Sequence, residues 1–500
     1  MSQENSNLWD YRLTEEGVLE DIQSQPHIFT KLAENALTVA ESLRNNYFKN
    51  TTNFIVNLRK AVNQYQNGQR SDSILDIKSV QDIQWSDVQN EVVTFIDGGL
   101  GQVQISSQVP ILLRVGSYSV KTGERCISER EKFGYYPVIL GDIEGGSKER
   151  KDFPDIVRIT AELLGGLSVL ERTPNLKLLM FHGPLVYLMN AYAGHTPFTE
   201  RDIDLFLSHY AQDSNLAQKI KDEFLEEAKI DIYPQIVPGR SDEWITRRLF
   251  EPLAWMSFLY RRLIKEAKKR KPIPIIAGVV ERGQLREFSE KVLLERVFKG
   301  LRQKNKENYF NEIYGRTDLK SPKVLLDRLA YTDSLLLGML LLPGQYSEPW
   351  QINKYGGLGK GKISLPDESF TSDADWTCLR SCNSIAFPKI LGCYINISET
   401  TEPIRVEVFK ELGSKQIVEA TKRTYLYARL LPGYGFPVGL DIVDKYAHVP
   451  NWMTDAYSKI IKYHLSVSLQ RGEINDEEMR RIMIQAMYMT KRDWLFRPNA

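Results

Sequence analysis

Cysteine is scarce in this sequence. The 500 residues hold four, Cys126, Cys378, Cys382 and Cys393, too few and too irregularly spaced for a disulfide framework, which points to a reducing compartment. The last three lack the paired Cys-x-x-Cys spacing of a zinc site. Excess charge of either sign is missing as well: Lys plus Arg number 65 and Asp plus Glu 64. There is no global basic field, so any DNA binding has to use local patches. Long hydrophobic runs are also lacking. The longest, Leu335 to Leu342, is far short of the roughly 20 residues of a spanning helix. The start, Met1-Ser2-Gln3-Glu4-Asn5, does not carry the basic-then-apolar pattern of a signal peptide. A cytoplasmic protein without a membrane association is the expectation. Internal repeats and low-complexity tracts are not found.

What is present is ordinary globular composition, 42% hydrophobic and 26% charged, with apolar material for a large core. Helical spacing of Ile28, Leu32, Ala36, Leu37 and Ala40 predicts a helical stretch from about Leu13 to Gln66. Val92-Val93-Thr94-Phe95-Ile96 is a buried-strand pattern that ends on Asp97 and the turn-like pair Gly98-Gly99. Strand-like runs follow at Pro110 to Val120 and Tyr135 to Ile139, then a helix over Asp155 to Leu167, then a strand from Leu176 to Phe181 that closes on His182. Three strands in an antiparallel meander, a helix and a fourth strand make the ribonuclease-H order. Charged helical sequence fills about 198–270 before a strand at Ile273 to Val280. Beyond it come a helical stretch from Lys323 to Leu342, a strand at Ile404 to Phe409 and a helical tail from about Asp455 to Met489.

Cleavage of phosphodiesters by metal ions needs carboxylates from separate elements converging on a narrow space, and hard cations prefer oxygen ligands. Asp97 stands at the end of an apolar run, where an acid is costly unless it is exposed or coordinates something; its plain alternative is a turn-forming Asp before Gly-Gly. Glu162 borders the apolar face of its helix, and its alternative is an ion pair with Arg158 one turn away. His182 closes a strand before a glycine, as a ligand or as a satisfied structural histidine. Asp444 follows the Pro/Gly turn Gly433-Tyr434-Gly435-Phe436-Pro437; Asp441 and His448 compete with it, and a surface pair with Lys445 is the alternative.

The order of these strings resembles the NurA family of DNA-end-processing nucleases. The resemblance rests on Phe95-Ile96-Asp97-Gly98-Gly99, Glu162 in Arg158-Ile159-Thr160-Ala161-Glu162, His182-Gly183-Pro184-Leu185, Gly278-Val279-Val280, Asp333 in Tyr331-Thr332-Asp333, Arg405-Val406-Glu407, and Phe436-Pro437 through Asp444. It spans Glu91 to His448. It implies an α/β fold, a ribonuclease-H-like mixed sheet flanked by helices, with residues 1–88 as an N-terminal helical segment, 89–450 as the nuclease domain with a helical insertion at 198–270, and 451–500 as a helical tail. It implies Mn²⁺ or Mg²⁺ held by Asp97, Glu162, His182 and Asp444, a homodimer, and a HerA-type hexameric translocase as partner in DNA end resection, repair or phage defence. Two positions depart from the family: His182, where an acid is usual, and Glu281, where a lysine is frequent. An imidazole still binds Mn²⁺ but removes a negative charge and favours softer metals than Mg²⁺, and Arg282 can substitute for the missing lysine.

Other readings compete. A NurA-like module that grips DNA without cutting it follows from the histidine at 182. Gly356 to Lys362 has the spacing of a phosphate-binding loop, but Ile363 occupies the Ser/Thr position that reaches Mg²⁺. Asp97-Gly98-Gly99-Leu100-Gly101 is similar to the phosphate loops of actin-like ATPases, without a second such loop in the C-terminal half. Arg261, Lys268 and Lys269 in the basic run before Ile273, Arg282, and Lys360 with Lys362 are the candidate DNA-phosphate contacts; the plain reading of the basic run is a solvated helix end whose cations suit the C-terminal dipole.

Overall fold

A computed structural model of the chain describes residues 26–66, 75–80, 82–102, 111–140, 147–186, 200–210, 214–227, 252–281, 283–352, 360–362, 384–431 and 433–488. It falls into two compact units, one of residues 1–76 with 290–330 and one of 77–289 with 331–500. In the first, the helix Lys49–Gln66 packs with Glu295–Gln303 and Tyr309–Tyr314. Phe54 meets Phe310 edge-on at 5.3 Å, Phe310 lies 4.9 Å from Phe298, and Asn57 donates to the Tyr309 hydroxyl at 2.9 Å. The helix Lys49–Gln66 thus has packing partners far along the chain within this unit. Helical spacing shows which face of Lys49–Gln66 seeks cover, but not that residues 290–330 supply it.

The second unit is built on a ten-stranded mixed sheet. Its main strands are β1 (Val92–Gln102), β2 (Ile111–Lys121), β3 (Glu131–Leu140), β4 (Leu176–His182), β5 (Ile275–Val280), β6 (Ile390–Ile395) and β7 (Ile404–Phe409). They lie in the order β6-β7-β5-β4-β1-β2-β3, with β1, β2 and β3 antiparallel, β4 parallel to β1 and β5 parallel to β4. The meander, the helix and the fourth strand follow in the order expected from the sequence, and the structure adds the parallel pairing of β4 with β1 and with β5.

Helices cover both faces of the sheet, which is why its central strands read as continuous apolar runs rather than alternating ones. The chain adds α1 (Ser147–Arg172), α2 (Glu200–Tyr210), α3 (Ser214–Glu227), α4 (Pro252–Lys268), α5 (Asp333–Leu340), α6 (Gln416–Ala428), α7 (Val438–Ala447), α8 (Asn451–Gln470) and α9 (Glu477–Tyr488). Leu178 and Met180 of β4 join Phe95, Val406, Leu426, Leu440 and Val443 in one buried cluster on the α6 and α7 side. Leu179 and Phe181 point the other way, against Gly166 of α1. This period-2 alternation fixes which side each polar residue at the strand end will face. The stretch from Lys323 to Leu342, read from sequence as continuously helical, is broken: Ala330 takes a left-handed φ of 53°, and Thr332 begins α5 by accepting the Leu335 N–H.

The glycines after Asp97 do not form a turn. β1 runs through them to Gln102, paired with β2 along its length. Their purpose is close packing. A β-carbon at Gly99 would lie 2.0 Å from the Ala447 carbonyl oxygen, one at Gly101 2.7 Å from the Thr454 methyl, and one at Gly439 2.2 Å from the Phe95 ring. Absent side chains on both partners thus let α7 lie almost on the backbone of β1. Gly99→Ala is expected to cost about 1–3 kcal/mol, because the obstructing atom is main chain and cannot rotate away. Gly300→Ala, on Glu295–Gln303 with nothing within 4 Å of the added methyl, should instead gain roughly 0.5–1 kcal/mol. Urea unfolding of the two variants checks both signs.

Candidate metal centre

The close approach of α7 determines what meets at the carboxyl ends of β1 and β4. Parallel pairing of these strands ends at Ile96 and Phe181, and the next residues, Asp97 and His182, turn toward α7. The crevice beyond the carboxyl ends of parallel strands is where α/β folds place ligands. α7 lowers Asp444 into it. Ligand atoms of Asp97, His182 and Asp444 all lie within 4.8 Å of one another, and Asp97 is buried. His182 Nδ1 is 3.0 Å from Asp97 Oδ2, while the Gly98 N–H donates to Asp97 Oδ1 at 2.8 Å. The bond to Asp97 engages Nδ1, one of the two ring nitrogens of His182. Phe436 packs its ring 5.3 Å from that of His182.

The fourth expected member, Glu162, reaches the site from the opposite face of the sheet. It is buried on α1, and a β-carbon at Gly98 would lie 2.6 Å from its Oε1. Only a glycine at 98 lets the glutamate approach the back of β1. Its Oε1 accepts from Arg158 Nη1 at 2.5 Å, and it is not one of the three residues brought within 4.8 Å. Glu162 is thus ion-paired to Arg158 and lies near the cluster without being one of its three members.

Electrostatics tie these groups together. Burial, opposed by Arg158 and assisted by the Asp97 charge, pushes Glu162 up to about 7. Burial and the hydrogen bond and charge of Asp97 raise Asp444. Burial alone would lower His182, but its hydrogen bond with Asp97 and the charges of Asp97, Asp444 and Glu162 leave it raised. Since Glu162 binds its proton more tightly when folded than its ordinary value of 4.5, its contribution to stability is full below about pH 4.5 and is lost as pH rises through about 7. Glu162→Gln should therefore flatten stability across that window. Thermal unfolding of both proteins from pH 4.5 to 7.5 checks this; parallel curves would count against the raised carboxyl.

Asp441, one turn before Asp444, is held elsewhere: its Oδ1 accepts from the Tyr434 hydroxyl at 3.0 Å and its Oδ2 from Lys445 at 2.6 Å. Lys445 therefore pairs with Asp441, not with Asp444. Burial, the hydrogen bond to Asp441, and the charges of Asp441, Glu281 and Asp444 push the Tyr434 phenol up to about 12. Glu281, which directly follows β5, is thus within electrostatic reach of this corner. Nothing in the sequence singled out Tyr434, although its place between two glycines before Phe436-Pro437 is the signal of an exposed aromatic on a tight loop.

Two other motif residues are anchors. Asp333 begins α5 and accepts from the Phe288 and Ser289 N–H groups, at 3.2 and 2.8 Å, and from the Tyr394 hydroxyl at 3.2 Å. Glu407 on β7 accepts from Arg405 Nε at 2.7 Å and from the Leu185 N–H at 2.9 Å, so it fixes the chain as it leaves His182.

The basic run lies at the other end of the strands. Arg270 donates to the Thr173 carbonyl at 2.7 Å, just ahead of β4, and Lys269 pairs with Glu266 at 2.6 Å. Arg261 pairs with Glu227 at 3.1 Å and Arg262 with Glu223. Seven residues of β4, roughly 20 Å of strand, separate the Arg270 end from His182. Within one chain these cations do not join the cluster. Arg282, Cys378 and Cys382 lie outside the described residues, as do the side chains of Lys360 and Lys362. No helix among the described residues is long and apolar enough to cross a membrane.

Neither the family models nor the curated proteins compared with the chain gave a match. Among solved structures, the chain is similar to the NurA nuclease from Sulfolobus solfataricus, at 14% identity and a TM-score of 0.41 over 86% of this chain and 98% of that one. It is similar to a NurA bound to dAMP and manganese, at 10% identity and a TM-score of 0.32 over 82% and 94% of the two chains. A NurA with manganese shows 11% identity and a TM-score of 0.35 over 83% and 97%.

Proposed function

We propose that this chain is a metal-dependent DNA nuclease that hydrolyses phosphodiester bonds at DNA ends or in single strands. The observation that carries the reading is the convergence of Asp97, His182 and Asp444, from two strands and a helix, at the carboxyl ends of a sheet in ribonuclease-H order. The donor set fits a divalent cation. Ligand atoms of Asp97 and Asp444 lie within 4.8 Å of each other, where two ionised carboxylates repel and a cation between them satisfies both. Two carboxylates with one imidazole suit Mn²⁺ better than Mg²⁺. Asp97, His182 and Asp444 would hold the ion, which when bound activates water and neutralises charge on the phosphate.

The protein's own groups then act around it. Asp97 hydrogen-bonds the His182 ring at Nδ1 and so keeps it beside Asp444. Arg158 engages Glu162 Oε1 behind Asp97, and this buried pair shapes the charge around the site. Following the family resemblance, the chain works as a homodimer with a HerA-type hexameric translocase, in end resection, repair or phage defence. The second reading, a DNA-gripping module without catalysis, follows from the histidine at 182 in place of an acid.

Purified protein should cut end-labelled linear and single-stranded DNA in Mn²⁺, more slowly in Mg²⁺ and not in EDTA. Absence of cutting with either metal, even with the translocase added, would leave the silent module.

A further inference from the structure

Beside the acidic cluster the chain presents a pinned aromatic ring. The loop between α6 and α7 is tightly tied: the Tyr434 and Gly435 N–H groups both donate to the Leu431 carbonyl at 2.9 Å. Gly435 has a φ of +68°, and a β-carbon there would lie 2.6 Å from Thr401 Oγ1. The Tyr434 hydroxyl is fixed to Asp441, one turn of α7 from Asp444. Its ring stands edge-on to Phe436 at 6.4 Å, and Phe436 in turn packs on His182. Despite these ties Tyr434 is 45% exposed, with Leu430 and Leu431 of the same loop about half exposed.

An exposed ring held in one place meets a planar partner with little loss of side-chain freedom. Bases offer such a face whatever their identity, and stacking on aromatic side chains is how proteins hold single strands without reading sequence. We propose that Tyr434 is a stacking platform for the base adjoining the phosphodiester held at Asp97, His182 and Asp444. The substrate is then a single strand or a frayed end, whose bases are free to leave the duplex. The proposal rests on the nuclease reading and adds to it the residue that selects an unpaired, base-bearing strand.

The test compares full-length protein with Tyr434→Leu, Tyr434→Trp and Tyr434→Phe. Anisotropy is read with a labelled oligothymidylate and with the same backbone made abasic, in Ca²⁺, and cleavage of the oligothymidylate is followed in Mn²⁺. Loss of the ring in Tyr434→Leu should weaken binding of the base-bearing strand by about tenfold, raising KM more than it lowers kcat. Binding of the abasic strand should not change, and the Trp and Phe variants should bind as wild type does. Equal loss on both strands, or no loss on the base-bearing one, overturns the proposal. If Tyr434→Leu cuts normally at low substrate concentration, the platform fails and the nuclease reading stands. If wild-type protein neither binds nor cuts either strand, both fall.

Discussion

Asp97→Ala is expected to lower metal-dependent DNA cleavage by on the order of a thousandfold, corresponding to about 4 kcal/mol of lost transition-state stabilisation. Asp97 bonds to His182, lies within 4.8 Å of an Asp444 oxygen and raises Glu162 through its charge. Its removal takes away a ligand and frees the imidazole that it orients. The fold should survive, because the change deletes one of several acids crowded together in a buried place, and like charges in such a place oppose folding. Cleavage of end-labelled DNA beside a thermal melt separates the two effects. A variant that melts normally yet still cuts at the wild-type rate would remove Asp97 from the chemistry.

Glu407→Ala should act in the opposite way, through stability. Glu407 is fully buried, with Arg405 3% exposed beside it. Deleting one member of a buried ion pair leaves the other uncompensated, at a cost of about 3–5 kcal/mol, a large part of the 5–15 kcal/mol that holds a typical domain folded. The variant also leaves the Leu185 N–H without its acceptor. Glu407→Gln keeps an acceptor for that N–H and should lose less. Urea denaturation gives both values; an alanine variant within about 1 kcal/mol of wild type would show that the pair is dispensable.

The sheet was legible because its strands are buried on both faces and so stand out as short β-branched runs; Ile404 to Phe409 was read with the bounds the structure has. The site was partly legible for a related reason. A polar residue directly after such a run, as at Asp97 and His182, falls at the carboxyl end of a parallel strand. What could not be read was distance across the sheet. The glycines after Asp97 look like a turn in sequence, yet they act as a packing surface for a helix some hundreds of residues further on, and only coordinates show the partner. Glu162 was legible as a residue on the border of its helix, but its approach through the space over Gly98 was not. For the basic run, sequence shows a cluster of charge, but not the end of the strands at which it lies.

The docking of α7 joins an early strand to a late helix, and it does so by bringing two acids together. Left to themselves, Asp97 and Asp444 push that joint open unless they share a proton. A divalent cation turns the same pair into a clasp, and its binding free energy then contributes to holding α7 on the sheet. On the proposed nuclease reading, completion of the site and completion of the fold coincide, because Asp97 and His182 gain their third partner only when the helix that carries Asp444 has packed on the sheet.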